Sequence, residues 1–137
     1  MKVIVDTSIW SLTIRRHAHI QDPDAEILRK MIQQGENIYL LGIILQEILQ
    51  GVKRPEDFMR LKEHLDAFPM IEIAREHYIK AAELKNHLSI KGVQASTIDV
   101  LIATAAISHD CYLYTNDKDF HHITKHSKLK LLKNPSA

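Results

Sequence analysis

With 137 residues, 45% of them hydrophobic, the chain carries enough apolar material for one compact domain spanning residues 1–137 with its own core. No run approaches the ~20 apolar residues of a membrane span, no signal-peptide pattern opens the chain, and the lone Cys111 excludes an internal disulfide or a cysteine-built zinc cage. A net charge of +1 singles out no class of partner, and the absence of export signals makes the cytoplasm the expected compartment.

Val3-Ile4-Val5 predicts a strand buried on both faces, as in a parallel sheet. It stops at Asp6-Thr7-Ser8, which puts a carboxylate at the carboxyl end of the strand, where open α/β sheets bind ligands. Taken alone, Asp6, Thr7 or Ser8 serves equally well as the cap of the next helix. Ile9 to Arg16 reads as a short helix with Trp10 and Ile14 on one face and Arg15-Arg16 at its end, where cations suit the helix dipole. His17 to Gln21 reads as a solvated loop, and a metal-binding role for His17 and His19 is the weaker reading. Asp22-Pro23 starts a second helix by the cap-then-proline rule; Ile27, Leu28, Met31 and Ile32 form its apolar face and Gly35 ends it.

Asn37 to Leu41 is the second strand, and Gly42 begins a largely apolar helix. In it Glu47 stands among Ile43, Ile44 and Ile48, either as a surface glutamate or facing a polar cavity, since burying a lone carboxylate is costly. Pro55 opens a helix over Glu56 to Ala67 with Phe58, Leu61 and Leu65 inward. Met70 to Ile73 follows as a third strand, and Glu76 to Leu88 as a helix presenting Tyr78, Ala81, Ala82 and Leu84.

After a loop over Ser89 to Ala95, Ser96 to His109 is a strong helix pattern. Asp99 falls inside it, between Ile98 and Val100 and in line with Ala95 and Ala103. Aspartate is disfavoured in a helix interior, and the small neighbours leave room for a carboxylate and an ion. Leu113 to Thr115 is the fourth strand, and Asn116-Asp117-Lys118-Asp119-Phe120 repeats the opening pattern of a strand, a hydroxyl and then carboxylates. Those acids can also cap a short helix. Leu129 to Leu132 reads as a last, edge strand.

Alternating strands and helices predict a parallel α/β sheet with helices on both faces. That topology collects Asp6, Glu47, Asp99, Asp117 and Asp119 at one crevice. Carboxylates crowded together repel and their pKa values rise; a divalent cation resolves the conflict, and oxygen-only ligation selects Mg²⁺, with Mn²⁺ as substitute, over zinc. Such an ion can activate water against a phosphodiester. With those five acids committed, twelve others face 18 Lys and Arg, an outer surface of about +6 that permits phosphate binding. No P-loop, GxGxxG, HExxH or GxSxG pattern competes.

Four stretches carry a family resemblance: Val3-Ile4-Val5-Asp6-Thr7-Ser8-Ile9-Trp10, Gln46-Glu47-Ile48-Leu49-Gln50-Gly51, Thr97-Ile98-Asp99-Val100-Leu101-Ile102-Ala103 and Thr115-Asn116-Asp117-Lys118-Asp119-Phe120. Together they resemble the motifs of PIN domains, and within that family the VapC-type toxin ribonucleases of toxin–antitoxin pairs. The resemblance implies a three-layer α/β/α domain with a five-stranded parallel sheet, Mg²⁺-dependent cleavage of RNA, homodimers, and inhibition by a cognate antitoxin that fills the acidic site. Position by position, Asp6, Glu47, Asp99 and Asp117 match the family's acidic quartet and Asp119 a further acid. Thr7 and Thr115 match hydroxyls that orient the first acid or its water. Arg15, Arg16 and Lys91 are the candidate RNA contacts. Two departures stand out: Lys91-Gly92 where an Arg often precedes the Gly, and Leu41-Gly42 where the Glu47 helix usually opens on Ser/Thr-Pro. Neither touches an acid. Trp10 and the Phe58–Leu65 helix fit a dimer interface and core packing equally well.

Two other readings compete with a nuclease. A dehalogenase-like phosphotransfer domain would use a DxDxT motif after the first strand, but Ser8 occupies the position of the second Asp. A non-catalytic, receiver-like acidic module would need paired early acids, and only Asp6 stands there.

Overall fold

The computed structural model describes residues 1–14 and 22–133. Its strands are β1 (Lys2–Val5), β2 (Asn37–Leu41), β3 (Met70–Ile71), β4 (Tyr112–Tyr114) and β5 (Lys130–Leu131). All pair in parallel, in the order β3-β2-β1-β4-β5. Val3, Ile4 and Val5 are fully buried. Successive strand side chains point to opposite faces, so both faces of β1 are covered and the run of branched apolar residues is explained. The helices are α1 (Thr7–Ile14), α2 (Pro23–Gln33), α3 (Gly42–Leu49), α4 (Pro55–Leu65), α5 (Arg75–Ile90), α6 (Thr97–Ser108) and α7 (Asp119–Thr124). The expected five-stranded α/β architecture is present.

The strand order creates a topological switch point. The chain leaves β1 toward β2 and β3, then crosses back through α5 and α6 to place β4 on the other side of β1. The crevice between the carboxyl ends of β1 and β4 is where such sheets bind ligands.

Several boundaries differ from expectation for local reasons. α1 starts at Thr7, two residues early, because the Asp6 carbonyl already accepts from the amides of Ile9 and Trp10; Arg15, Arg16, His17 and His19 lie outside the described residues. The third strand ends at Ile71 instead of Ile73, since at the sheet edge it has only β2 to pair with. In α5 the buried residues are His77, Ala81 and Leu88, while Tyr78, Ile79 and Ala82 face outward. Of the residues named on this helix from sequence, Ala81 is buried and Leu84 half-buried, while Tyr78 and Ala82 lie exposed. Trp10 is core, with only 2% exposed and its ring edge-on to Phe68 at 5.2 Å. Gly92, at φ +81°, lets α5 end with the Val93 amide bonded to the Leu88 carbonyl, turning the chain toward α6.

Candidate metal centre

Asp6 is fixed through its backbone before its side chain does anything. Its amide donates to the Tyr114 carbonyl at 2.9 Å, and its own carbonyl takes the first amides of α1 at 3.0 and 3.1 Å. The residue thus closes the sheet ladder and opens the helix, leaving its carboxylate at the crevice, 7% exposed. One oxygen, Oδ2, accepts from Ser8 Oγ at 2.7 Å and from Thr115 Oγ1 at 2.8 Å. These hydroxyls in turn accept from the amides of Asn116 at 3.3 Å and Asp117 at 3.0 Å. Two hydroxyl relays therefore tie the end of β1 to the loop after β4, and Asp6 holds its position relative to Asp117.

The other acids approach from three elements. Asp117 sits in the loop after β4, where its Oδ1 accepts the Asp119 amide at 2.9 Å, while Lys118 takes the N-cap position of α7. Asp99 is not in a helix interior as its apolar neighbours suggested. Ser96 caps α6, its Oγ accepting the Asp99 amide at 3.0 Å, which puts Asp99 in the first turn. There the helix dipole favours a carboxylate. Oxygens of Asp99, Asp117 and Asp119 lie within 4.8 Å of one another. Glu47, half-buried on α3, accepts a long 3.4 Å bond from Thr7 Oγ1. Thr7 therefore supports Glu47, whereas the hydroxyls on Asp6 are those of Ser8 and Thr115.

Electrostatics shows these carboxylates to be uncompensated. Burial first, then repulsion from Asp117, pushes Asp99 up to about 6; the Ser96 hydrogen bond opposes the rise, and Asp6 and Asp119 add to it. Glu47 is likewise raised, by burial and then by Asp6, with Thr7 opposing. Asp6 is thus felt on both sides and links Glu47 to the trio. Among the described residues none of the five acids has a Lys or Arg partner. The donors are all oxygen, grouped and short of positive charge, a set that fits a hard divalent cation. A groove of about 830 Å³, lined by Trp10, Ile32, Leu61 and Leu65 among others, includes none of these acids.

Sequence reasoning missed Ser8 and Ser96 as supports of the site. Ser96 was findable: Ser96-Thr97-Ile98-Asp99 has the S-x-x-D spacing of an N-terminal cap before an apolar run. Ser8 left no such mark, because its partner Thr115 is 107 residues away.

The PIN domain family matches residues 3–126. The chain belongs to that family. Among curated relatives of this PIN domain, Ribonuclease VapC2 of Rickettsia felis is 28% identical over 128 residues, covering 90% of this chain and 92% of its own. Among solved structures, VapBC2 from Rickettsia felis bound to a promoter DNA fragment superposes with a TM-score of 0.77 at 24% identity, over 96% of this chain and 98% of that one. DNA-bound VapBC from Salmonella typhimurium gives 0.77 at 16% identity, over 98% of both chains. Mycobacterium tuberculosis VapC20, described as a toxin that cleaves the sarcin–ricin loop, gives 0.66 at 12% identity, over 88% and 93%. The likeness to solved structures is one of fold.

Of the candidate RNA contacts, Lys91 lies exposed at the C-terminal end of α5, and Arg15 and Arg16 lie outside the described residues. Among the described residues, no helix of this PIN domain is long and apolar enough to cross a membrane.

Proposed function

We propose that this chain is a VapC-type endoribonuclease, with Asp6, Glu47, Asp99, Asp117 and Asp119 as the ligands of a Mg²⁺ centre that Mn²⁺ can also fill. The observation that carries this reading is the Asp99–Asp117–Asp119 cluster beside buried Asp6, at the switch point of a parallel sheet, with no ion pair to a Lys or Arg among the described residues. When bound, the ion would lower the pKa of a water ligand and neutralise charge building on the scissile phosphate. The chain's own residues do the positioning. Ser8 and Thr115 hold the Asp6 carboxylate still, Thr7 steadies Glu47, and Ser96 fixes the turn that carries Asp99. Cleavage leaves a 5′-phosphate and a 3′-hydroxyl.

Two of the structural relatives are VapBC complexes bound to DNA, which supports a cognate antitoxin partner, taken as the inhibitor; the cytoplasm is the proposed site of action. Tyr78, Ile79 and Ile90, exposed on α5, support self-association as a homodimer. The deciding experiment is a Mg²⁺ titration with labelled RNA. Cleavage should rise with Mg²⁺, vanish in EDTA and be abolished in Asp99→Asn protein that keeps its circular dichroism spectrum. RNA cut as fast by purified Asp99→Asn would sink the reading.

A further inference from the structure

The last part of the chain has a charge pattern that the acidic centre does not absorb. Residues 120–137 hold four lysines and three histidines and no acid, in a chain whose net charge is only +1. Helix α7 organises the start of this segment. Phe120 and Ile123 are buried, fixing which face points inward. Lys118, His121, His122 and Lys125 recur at the i, i+3, i+4 and i+7 spacing that shares one helix face, and all four are exposed. A solvated helix face usually mixes signs, as α5 does with Arg75, Glu76, Lys80 and Glu83. Some basic groups are partnered: Arg29 bonds Glu26, Arg54 meets Glu56 and Asp57, Lys130 pairs with Asp110, and Lys85 bonds the Ala95 carbonyl. Among the described residues Lys118 and Lys125 have no acidic partner.

We infer that the outward ridge of α7, formed by Lys118, His121, His122 and Lys125, binds the RNA strand leading away from the acidic centre. This rests on the nuclease reading above. The placement argues for a nucleic-acid strand over an acidic peptide, because Asp119 is both a member of the acidic trio and the first residue of α7. A phosphodiester at the centre therefore has its flanking nucleotides within reach of the ridge. From Lys118 to Lys125 the helix rises roughly 10 Å, about three nucleotides of a stacked strand at ~3.4 Å each. Ammonium groups at both ends neutralise phosphates, and the two imidazoles between them can stack on unpaired bases. That combination tracks single strands without reading a long sequence.

The test is anisotropy of a short labelled single-stranded RNA in EDTA, where cleavage is silent and binding is read apart from activity. K118Q/K125Q should bind about tenfold more weakly than wild type and lower the salt slope by about 1.4, at ~0.7 per single-strand phosphate contact. H121A/H122A should weaken binding several-fold and leave the salt slope unchanged. K80Q, on the outward face of α5, should bind within about twofold of wild type. Wild-type affinity and slope in K118Q/K125Q, with circular dichroism confirming its fold, would overturn the ridge, as would an equal loss in K80Q or an acidic peptide that displaces the RNA better than RNA itself. The nuclease reading fails by a different result, the absence of Mg²⁺-dependent cleavage by wild type.

Discussion

The two ends of the sheet around β1 and β4 handle charge in opposite ways. At the carboxyl end, five acids gather with no Lys or Arg among the described residues to answer them, and Asp99 and Glu47 are driven toward their neutral forms. At the amino end several titratable groups are partnered, although the buried His109 Nε2 has no hydrogen-bond partner among the described residues. Lys130 bonds Asp110 at 2.7 Å, which lowers the acid's pKa and raises the lysine's, and Lys130 also lies over the Tyr112 ring at 4.8 Å. His77 accepts the Ala74 amide and stacks on His109, with ring centroids 5.3 Å apart. The same strands carry both ends, so backbone geometry does not account for the contrast. One end pairs several of its charges within the chain, and the other holds acids that the proposed cation would complete.

The largest effect expected at the open end, short of removing an acid, comes from its hydroxyl relays. In S8A/T115A, Asp6 Oδ2 loses both donors and the link to the 116–117 loop. Groups that orient metal ligands typically contribute 10–100-fold to affinity or activity. We expect RNA cleavage at fixed Mg²⁺ to fall within that range, with part of the loss recovered by raising Mg²⁺. A variant cleaving at the wild-type rate would show that the relays are ornamental.

How much of this contrast can be read before the fold is known depends on how local its causes are. Two of the acids announce themselves because they follow short strand-like runs, as Asp6 does after Val3-Ile4-Val5 and Asp117 after Leu113-Tyr114-Thr115. β2 is legible to the residue because its apolar run is bounded by Gly35 and Gly42. Asp99 is misread as mid-helix because Ser96 continues the helical pattern while acting as its cap. On α5, an outward Tyr78 and Ile79 and an inward His77 invert the usual hydropathy of each face, so periodicity points the wrong way. The closed end is the least legible part, since Lys130–Asp110 and His77–His109 join positions 20 and 32 residues apart.

The pH response separates the two ends by sign. Asp99 is near 6 in the fold and 3.8 when free, so between those values the folded protein binds more protons; its contribution favours the fold as pH falls through 6 and is lost as pH rises. Discounted for solvent screening, this is about 1–2 kcal/mol. His109 is lowered from 6.5 by burial, then by His77 and Lys2, so its contribution is present above 6.5 and lost as pH falls. In EDTA at pH 7.5, Asp99→Asn should therefore raise Tm by about 3–6 °C while abolishing cleavage. Below pH 6.5 its Tm should decline more steeply than that of wild type, and His109→Phe, which keeps the stack, should decline less. Scanning fluorimetry across pH 5–8 reads both, and parallel curves for all three proteins would defeat the assignment.

The smallest effect belongs to the exposed pair at the closed end, and it is the sharpest control on the contrast. Asp110 has φ +53° and follows α6, whose carbonyls at Ala106 and Ile107 take the amides of Cys111 and Asp110. Asparagine is at home in that left-handed position, so Asp110→Asn removes charge while keeping the turn. Exposed ion pairs contribute little because water screens them and ordering the lysine costs entropy. Cleavage, Mg²⁺ dependence and the pH profile set by Asp99 should be unchanged, with Tm moving least of all the variants. A loss of cleavage in Asp110→Asn would mean that the two ends are coupled through β4, and that the closed end is part of the machinery it was taken only to support.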